Sequence, residues 1–211
     1  MSVTLFPATT SSSVKRGDVS MKRLLHFLLL LLTLLLTACG TAEEPANGDS
    51  SASVEYYTVK ATEAEATEGD FIYRLVSEKE EYASGGPVEL YAELEYIGDL
   101  ETIDIFHAAS PFYFPMEEKT RSYEIHYGME EPLITTTLTK GEPLREQYSG
   151  SGGYSAEEDS AYIEFTKNII DMQFPEGYYV VDGYTDFYTE NSATAQTKYE
   201  MHAEVDFKVL D

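Results

Sequence analysis

Residues 198–210, KYEMHAEVDFKVL, alternate without interruption between apolar and polar side chains. Tyr199, Met201, Ala203, Val205, Phe207 and Val209 share one face, and Lys198, Glu200, His202, Glu204, Asp206 and Lys208 share the other. A period of two fits a strand with one buried face, because a helix would scatter these residues around its circumference. The stretch 87–99, PVELYAELEYIGD, repeats the pattern. Val88, Leu90, Ala92, Leu94 and Tyr96 point one way, Glu89, Tyr91, Glu93 and Glu95 the other, with Gly and Pro turns at the ends. Further strands are predicted over 71–77, 102–106, 122–127, 133–139 and 178–188, the last apolar enough to be central. Residues 54–60 add an edge strand, and 61–70 read as a linker or acidic loop. A helix is expected over about 156–171, where Ser155 and Glu158 form a capping box and Tyr162, Phe165 and Ile169 recur at helical spacing. Strands and helices do not alternate, so the pattern predicts an all-β antiparallel sandwich with one short inserted helix.

A second feature concerns location. Lys22 and Arg23 precede a leucine-rich run over 24–36, followed by Thr37, Ala38 and Cys39. A positive start, a short apolar core and small residues are the parts of a secretory signal. Counted to Ala38 the run is 15 residues, short of the roughly 20 that a membrane-crossing helix needs. Leu36-Thr37-Ala38-Cys39 resembles the lipobox of bacterial lipoproteins of the Gram-positive type. The resemblance implies that a signal peptide over 21–38 is removed and that Cys39 carries a diacylglyceryl group and further acyl lipid such as palmitate. The chain would then be held at the extracytoplasmic face of the cell membrane. More than one buried acyl chain, at about 0.8 kcal/mol per CH₂, makes such an anchor stable. Residues 1–20 supply nothing the signal needs, and translation is expected to start at Met21. Residues 39–53 are small, polar and acidic and read as a disordered tether, with the β-domain over 54–211.

After Cys39 the chain keeps 10 of its 14 Lys and Arg but 37 of its 38 Asp and Glu, leaving it at −27. That charge argues against nucleic acid and anionic headgroups as partners and favours cations, divalent metals or plain solubility. Cys39 is the one cysteine. Once it is acylated, no thiol remains for a disulfide, a thiolate metal site or thiol catalysis.

In FPEGYYVVDGYTDF, Pro175, Gly177, Tyr179 and Val181 resemble the phrase that opens the penultimate strand of bacterial immunoglobulin-like domains. There the tyrosine hydroxyl ties back to the preceding corner. EYASGGPVELYAELEYIGD is similar to the strand pair that opens such domains. Residues 71–211 thus resemble the immunoglobulin-like modules of surface lipoproteins and, more distantly, the intracellular proteinase inhibitor-like family. The resemblance implies the fold and assigns no activity.

Candidate sites are few. SGSGGYS (149–155) does not match G-x-S-x-G and reads as a loop before the helix. His107, His126, Met116 and Met129 share one stretch without metal-site spacing, and His202 falls on an outward face. Asp99, Glu101 and Asp104 offer oxygen ligands for Ca²⁺. Phe112, Tyr113 and Phe114, between two prolines, offer either a rigid aromatic docking edge or a buried sheet corner. The expectation is a membrane-anchored, non-enzymatic immunoglobulin-like module that binds a surface protein or wall component. The alternative is a domain that binds a divalent cation.

Overall fold

In the computed structural model, which describes residues 54–192 and 195–211, two sheets bury their alternate residues against each other. The signal, Cys39 and the tether lie outside the described residues. The smaller sheet is antiparallel and runs β1 (Glu63–Glu68), β2 (Phe71–Ser77), β4 (Leu90–Tyr96), β9 (Leu144–Gln147). The larger runs β3 (Glu81–Ala83), β12 (His202–Leu210), β10 (Gly177–Ser192), β5 (Thr102–Tyr113), β8 (Ile134–Thr139). β6 (Met116–Glu118), β7 (Tyr123–Ile125) and β11 (Ala195–Tyr199) attach to it, and among the described strands only β3 pairs in parallel, with β12. The architecture of the described residues is therefore an all-β sandwich with one short helix, between β9 and β10.

β10 is central, as its apolar content predicts. One side pairs with β12 and then β11, the other with β6 and then β5. Its inward residues Tyr179, Val181 and Phe187 meet Phe71, Tyr73 and Leu75 of β2 and Leu90 and Leu94 of β4 in one core. Gly183 is required there. A Cβ would lie 2.6 Å from the Tyr73 hydroxyl and 2.9 Å from Leu75.

Several boundaries differ from the sequence expectations: the strands expected over 102–106 and 178–188 extend to Tyr113 and Ser192, and four other segments change more. Residues 54–60 form no strand. Instead Tyr57 stacks on Tyr178 with ring centroids 4.4 Å apart and donates to the Lys119 carbonyl. Residues 61–70, read as a linker or loop, contain β1, whose small Ala64 and Ala66 pack on the core edge. The two-residue loop Gly69–Asp70 joins it to β2, with Gly69 at φ +55°. Residues 198–210 keep one register but break at Glu200–Met201, because the Thr185 hydroxyl takes the Met201 N–H. The helix α1 (Ser160–Ile170) starts later than about 156: Asp159 caps it by accepting from Ala161 N, 2.8 Å. Ser155 and Glu158 do bond each other's backbone region, but around a turn ahead of the helix.

Two buried carboxylates pin the start of β10. Glu118, fully buried, accepts from the backbone of Thr120 (2.8 Å), Arg121 (2.9 Å) and Tyr178 (3.2 Å) and from Arg121 Nη1 (3.1 Å). Gly177 lets β10 pass this carboxylate, since a Cβ there would lie 2.6 Å from Glu118 Oε1. Asp206 belongs to the row expected to face out, yet it is 4% exposed. It accepts from the N–H groups of Lys60 and Ala61 and from the Tyr178 hydroxyl, fastening the incoming chain to β12.

Removing the Glu118 carboxylate leaves several N–H groups and the half-buried Arg121 guanidinium without this acceptor. Glu118→Ala is expected to cost about 3–5 kcal/mol by urea unfolding of the 54–211 segment. A cost under about 1 kcal/mol would contradict this role. The tyrosine core sets an alkaline limit. Burial pushes the phenols of Tyr73, Tyr148, Tyr178 and Tyr179 well above their ordinary value. The unfolded chain therefore releases protons near pH 10 that the fold retains, so stability is full below about pH 10 and falls as pH rises beyond it. The urea midpoint should be level from about pH 8 to 9.5 and drop steeply above 10. A midpoint unchanged at about pH 11 would refute it.

Candidate functional site

The outward residues of β10 are Val180, Asp182, Tyr184, Asp186 and Tyr188, so acidic and aromatic side chains alternate along it. Pairing across the sheet extends them into two aromatic rows. In the first, Tyr184 stacks on Tyr113 of β5 (4.8 Å, 2°) and on His202 of β12 (5.1 Å), and Tyr127 closes edge-on against Tyr113 (5.9 Å). In the second, Tyr188 stacks on Phe106 of β5, 5.1 Å apart at 13°. Rings on neighbouring strands stand at about the strand spacing of ~4.8 Å, which is why they stack upright.

Between the rows β5 bulges. Four residues, Ala108 to Pro111, stand opposite the single Asp186. Pro111 fits there because a bulged residue makes no ladder bond. The Ser110 hydroxyl holds the bulge by donating to Glu146, 2.6 Å, and accepting from Phe112 N, 3.0 Å. Outside it opens a cleft of about 270 Å³, walled by Phe106, Tyr113, Tyr188, Glu131 and Leu133, with Asp186 among its lining. Leu133 is 72% exposed. Lys198 bridges Asp186 (3.3 Å) and Glu200 (2.9 Å), and this holds the Glu200 carboxyl below its usual range. Partial burial, then the Asp186 charge, raises the phenols of Tyr113 and Tyr184.

The aromatic triplet is divided by this arrangement. Phe112 and Phe114 are buried in the core, Phe112 against Tyr73, so they form no exposed edge. β5 lies inside the sheet, between β10 and β8, and Tyr113 alone of the three reaches the outer face. The sequence expectation missed Tyr184, Asp186, Tyr188 and Phe106. Reading the parity of 178–188 would have found the β10 members, since every second residue from 182 to 188 is Asp or Tyr.

The remaining candidates do not converge. Asp99, Glu101 and Asp104 are exposed, and Asp104 is engaged by the Thr137 hydroxyl, 2.6 Å. Among the described residues no group of three or more His, Cys, Asp or Glu is placed to hold a metal ion. His107 is buried, its Nδ1 2.9 Å from the Ala108 carbonyl and its Nε2 2.8 Å from the Thr136 hydroxyl. A carbonyl only accepts, so Nδ1 carries a proton, and in the neutral ring Nε2 then accepts from Thr136. Met129 takes the Ser110 N–H on its sulfur, while His126 is exposed beside Glu124. Two glycines of 149–155 serve packing: a Cβ at Gly150 would lie 2.4 Å from the Ile170 carbonyl of α1, and one at Gly152 2.9 Å from the Thr166 side chain. No described helix is long and apolar enough to cross a membrane.

Comparison with family models, with curated proteins and with solved structures finds no match to this chain.

Proposed function

We propose that the chain is a lipoprotein anchored through Cys39 at the extracytoplasmic face of the cell membrane, carrying a non-enzymatic immunoglobulin-like module that binds a surface protein or wall component. The observation that carries the binding reading is the outer face of the large sheet. Four half-exposed aromatic residues and a cleft lie there, outside the core that the fold requires. Aromatic residues at a surface with polar neighbours are what interfaces use for contact area.

Strand order supports the immunoglobulin-like reading. Taking β2, β4, β5, β8, β9, β10 and β12 as strands A, B, C, C′, E, F and G puts A, B and E on one sheet and C′, C, F and G on the other. That is the division of the immunoglobulin sandwich, in chain order. The Tyr179 hydroxyl donates to the Pro175 carbonyl, 2.7 Å, at the start of the strand taken as F. A tyrosine in that place, tied to backbone a few residues upstream, is the corner such domains share.

Two experiments test the proposal. Clickable palmitate should label the wild-type protein and not Cys39→Ala; label retained in the mutant would reject the anchor. Residues 54–211 hold every described strand and the described core cluster. Used as bait on surface extracts, this segment should retain a partner, and Tyr113→Ala should weaken retention several-fold. Retention unchanged by Tyr113→Ala would move the site elsewhere.

A further inference from the structure

We propose that the outer face of the large sheet takes a basic, extended polypeptide segment, with its Arg or Lys side chains set against the acidic rows and its backbone lying along β10. This rests on the binding-module reading and names the chemistry of its partner. The first observation is charge. Beyond the cleft beside Tyr188, a second cleft of about 380 Å³ opens over Val180 and is rimmed by Glu117, Glu124, Asp182 and Glu204. Glu200, Asp186 and Glu131 continue the negative potential to the other end. Of the lysines on this face, Lys119 and Lys198 are each already engaged by a carboxylate of the same face, and Lys208 stands beside Tyr178, at the other end of β12 from the Tyr184 row. The surface is thus left strongly negative.

The second observation is spacing. Outward side chains on β10 recur every ~6.7 Å, the distance between alternate side chains of any extended chain. Asp182 and Asp186 are therefore ~13 Å apart with Tyr184 between them. An extended partner with basic residues four apart places a cation at each carboxylate. It also lays its stems along the Tyr184 and Tyr188 rings, where a guanidinium gains from the aromatic quadrupole. The same chain pairs Arg145 with the Tyr91 ring at 3.9 Å and with Glu93 at 2.7 Å, the contact type expected of the partner. A metal ion lacks a cluster of ligands here. A neutral glycan would leave the carboxylates unmatched.

Calorimetry of residues 54–211 with a synthetic octapeptide of alternating Arg and Ser, at near-physiological salt, tests this. The parallel arms are an octapeptide of alternating Glu and Ser and an N-acetylglucosamine oligomer. The Arg peptide should bind and the Glu peptide should not. Tyr184→Ala combined with Asp186→Asn should weaken binding at least about tenfold. Glu63→Gln with Glu65→Gln, which removes two exposed charges on β1 of the other sheet, should change it less than about twofold. Thermal melts of both double variants establish that they fold. No binding of the Arg peptide, or equal weakening by both variants, overturns the inference. Binding of the sugar oligomer alone, lost in the β10 variant, overturns the basic partner and leaves the binding module standing. If surface extracts yield no partner for any bait, the binding module itself fails.

Discussion

Strand β10 is the constraint on which the molecule depends. It runs sixteen residues through the middle of the large sheet and is bracketed on both sides along most of its length. Its two parities carry different burdens: one fills the core with Tyr179, Val181 and Phe187, the other lines the outer face with Asp182, Tyr184, Asp186 and Tyr188. A slip of one residue would exchange these sets and place two aspartates in the core. Register is therefore fixed by a large penalty, and the outer face inherits its geometry from the inner one.

The buried polar groups guard that register at the strand's first turn. Glu118 spans from β6 to the Tyr178 N–H, and Arg121 closes the circuit on the Glu176 carbonyl at 2.8 Å. Asp206 reaches across to Tyr178 and to the chain entering at Lys60 and Ala61. A buried carboxylate tolerates only an arrangement that satisfies it, so both groups select one alignment of three strands. Asp206 also fixes where the segment coming from residue 53 meets the sandwich.

Much of the fold was legible because period two is a direct consequence of strand geometry. The residues of β2 and β4 and the inward row of β12 follow the alternation residue by residue. What stayed hidden depends on long-range pairing. Nothing local distinguishes Asp206 from Glu204, because its burial comes from residues 57–61, about 145 positions earlier. β1 is acidic enough to read as a loop and becomes a strand only because β2 offers a partner edge. Phe112, Tyr113 and Phe114 were visible as an aromatic cluster, but which ring faces solvent is set by the bulge in β5. That bulge shifts the parity between His107 and Phe112. The candidate site lies on this same bulge, where the local pattern stops predicting the face.

On the proposed reading, the partner meets the outer face of the large sheet. Photo-crosslinking of the intact chain in living cells probes that contact, with benzoylphenylalanine replacing Tyr188 on that face, Glu65 on β1 or Glu157 before α1. A discrete adduct from position 188, with none from 65 or 157, is the predicted result. Adducts from 65 or 157 with none from 188 would contradict it.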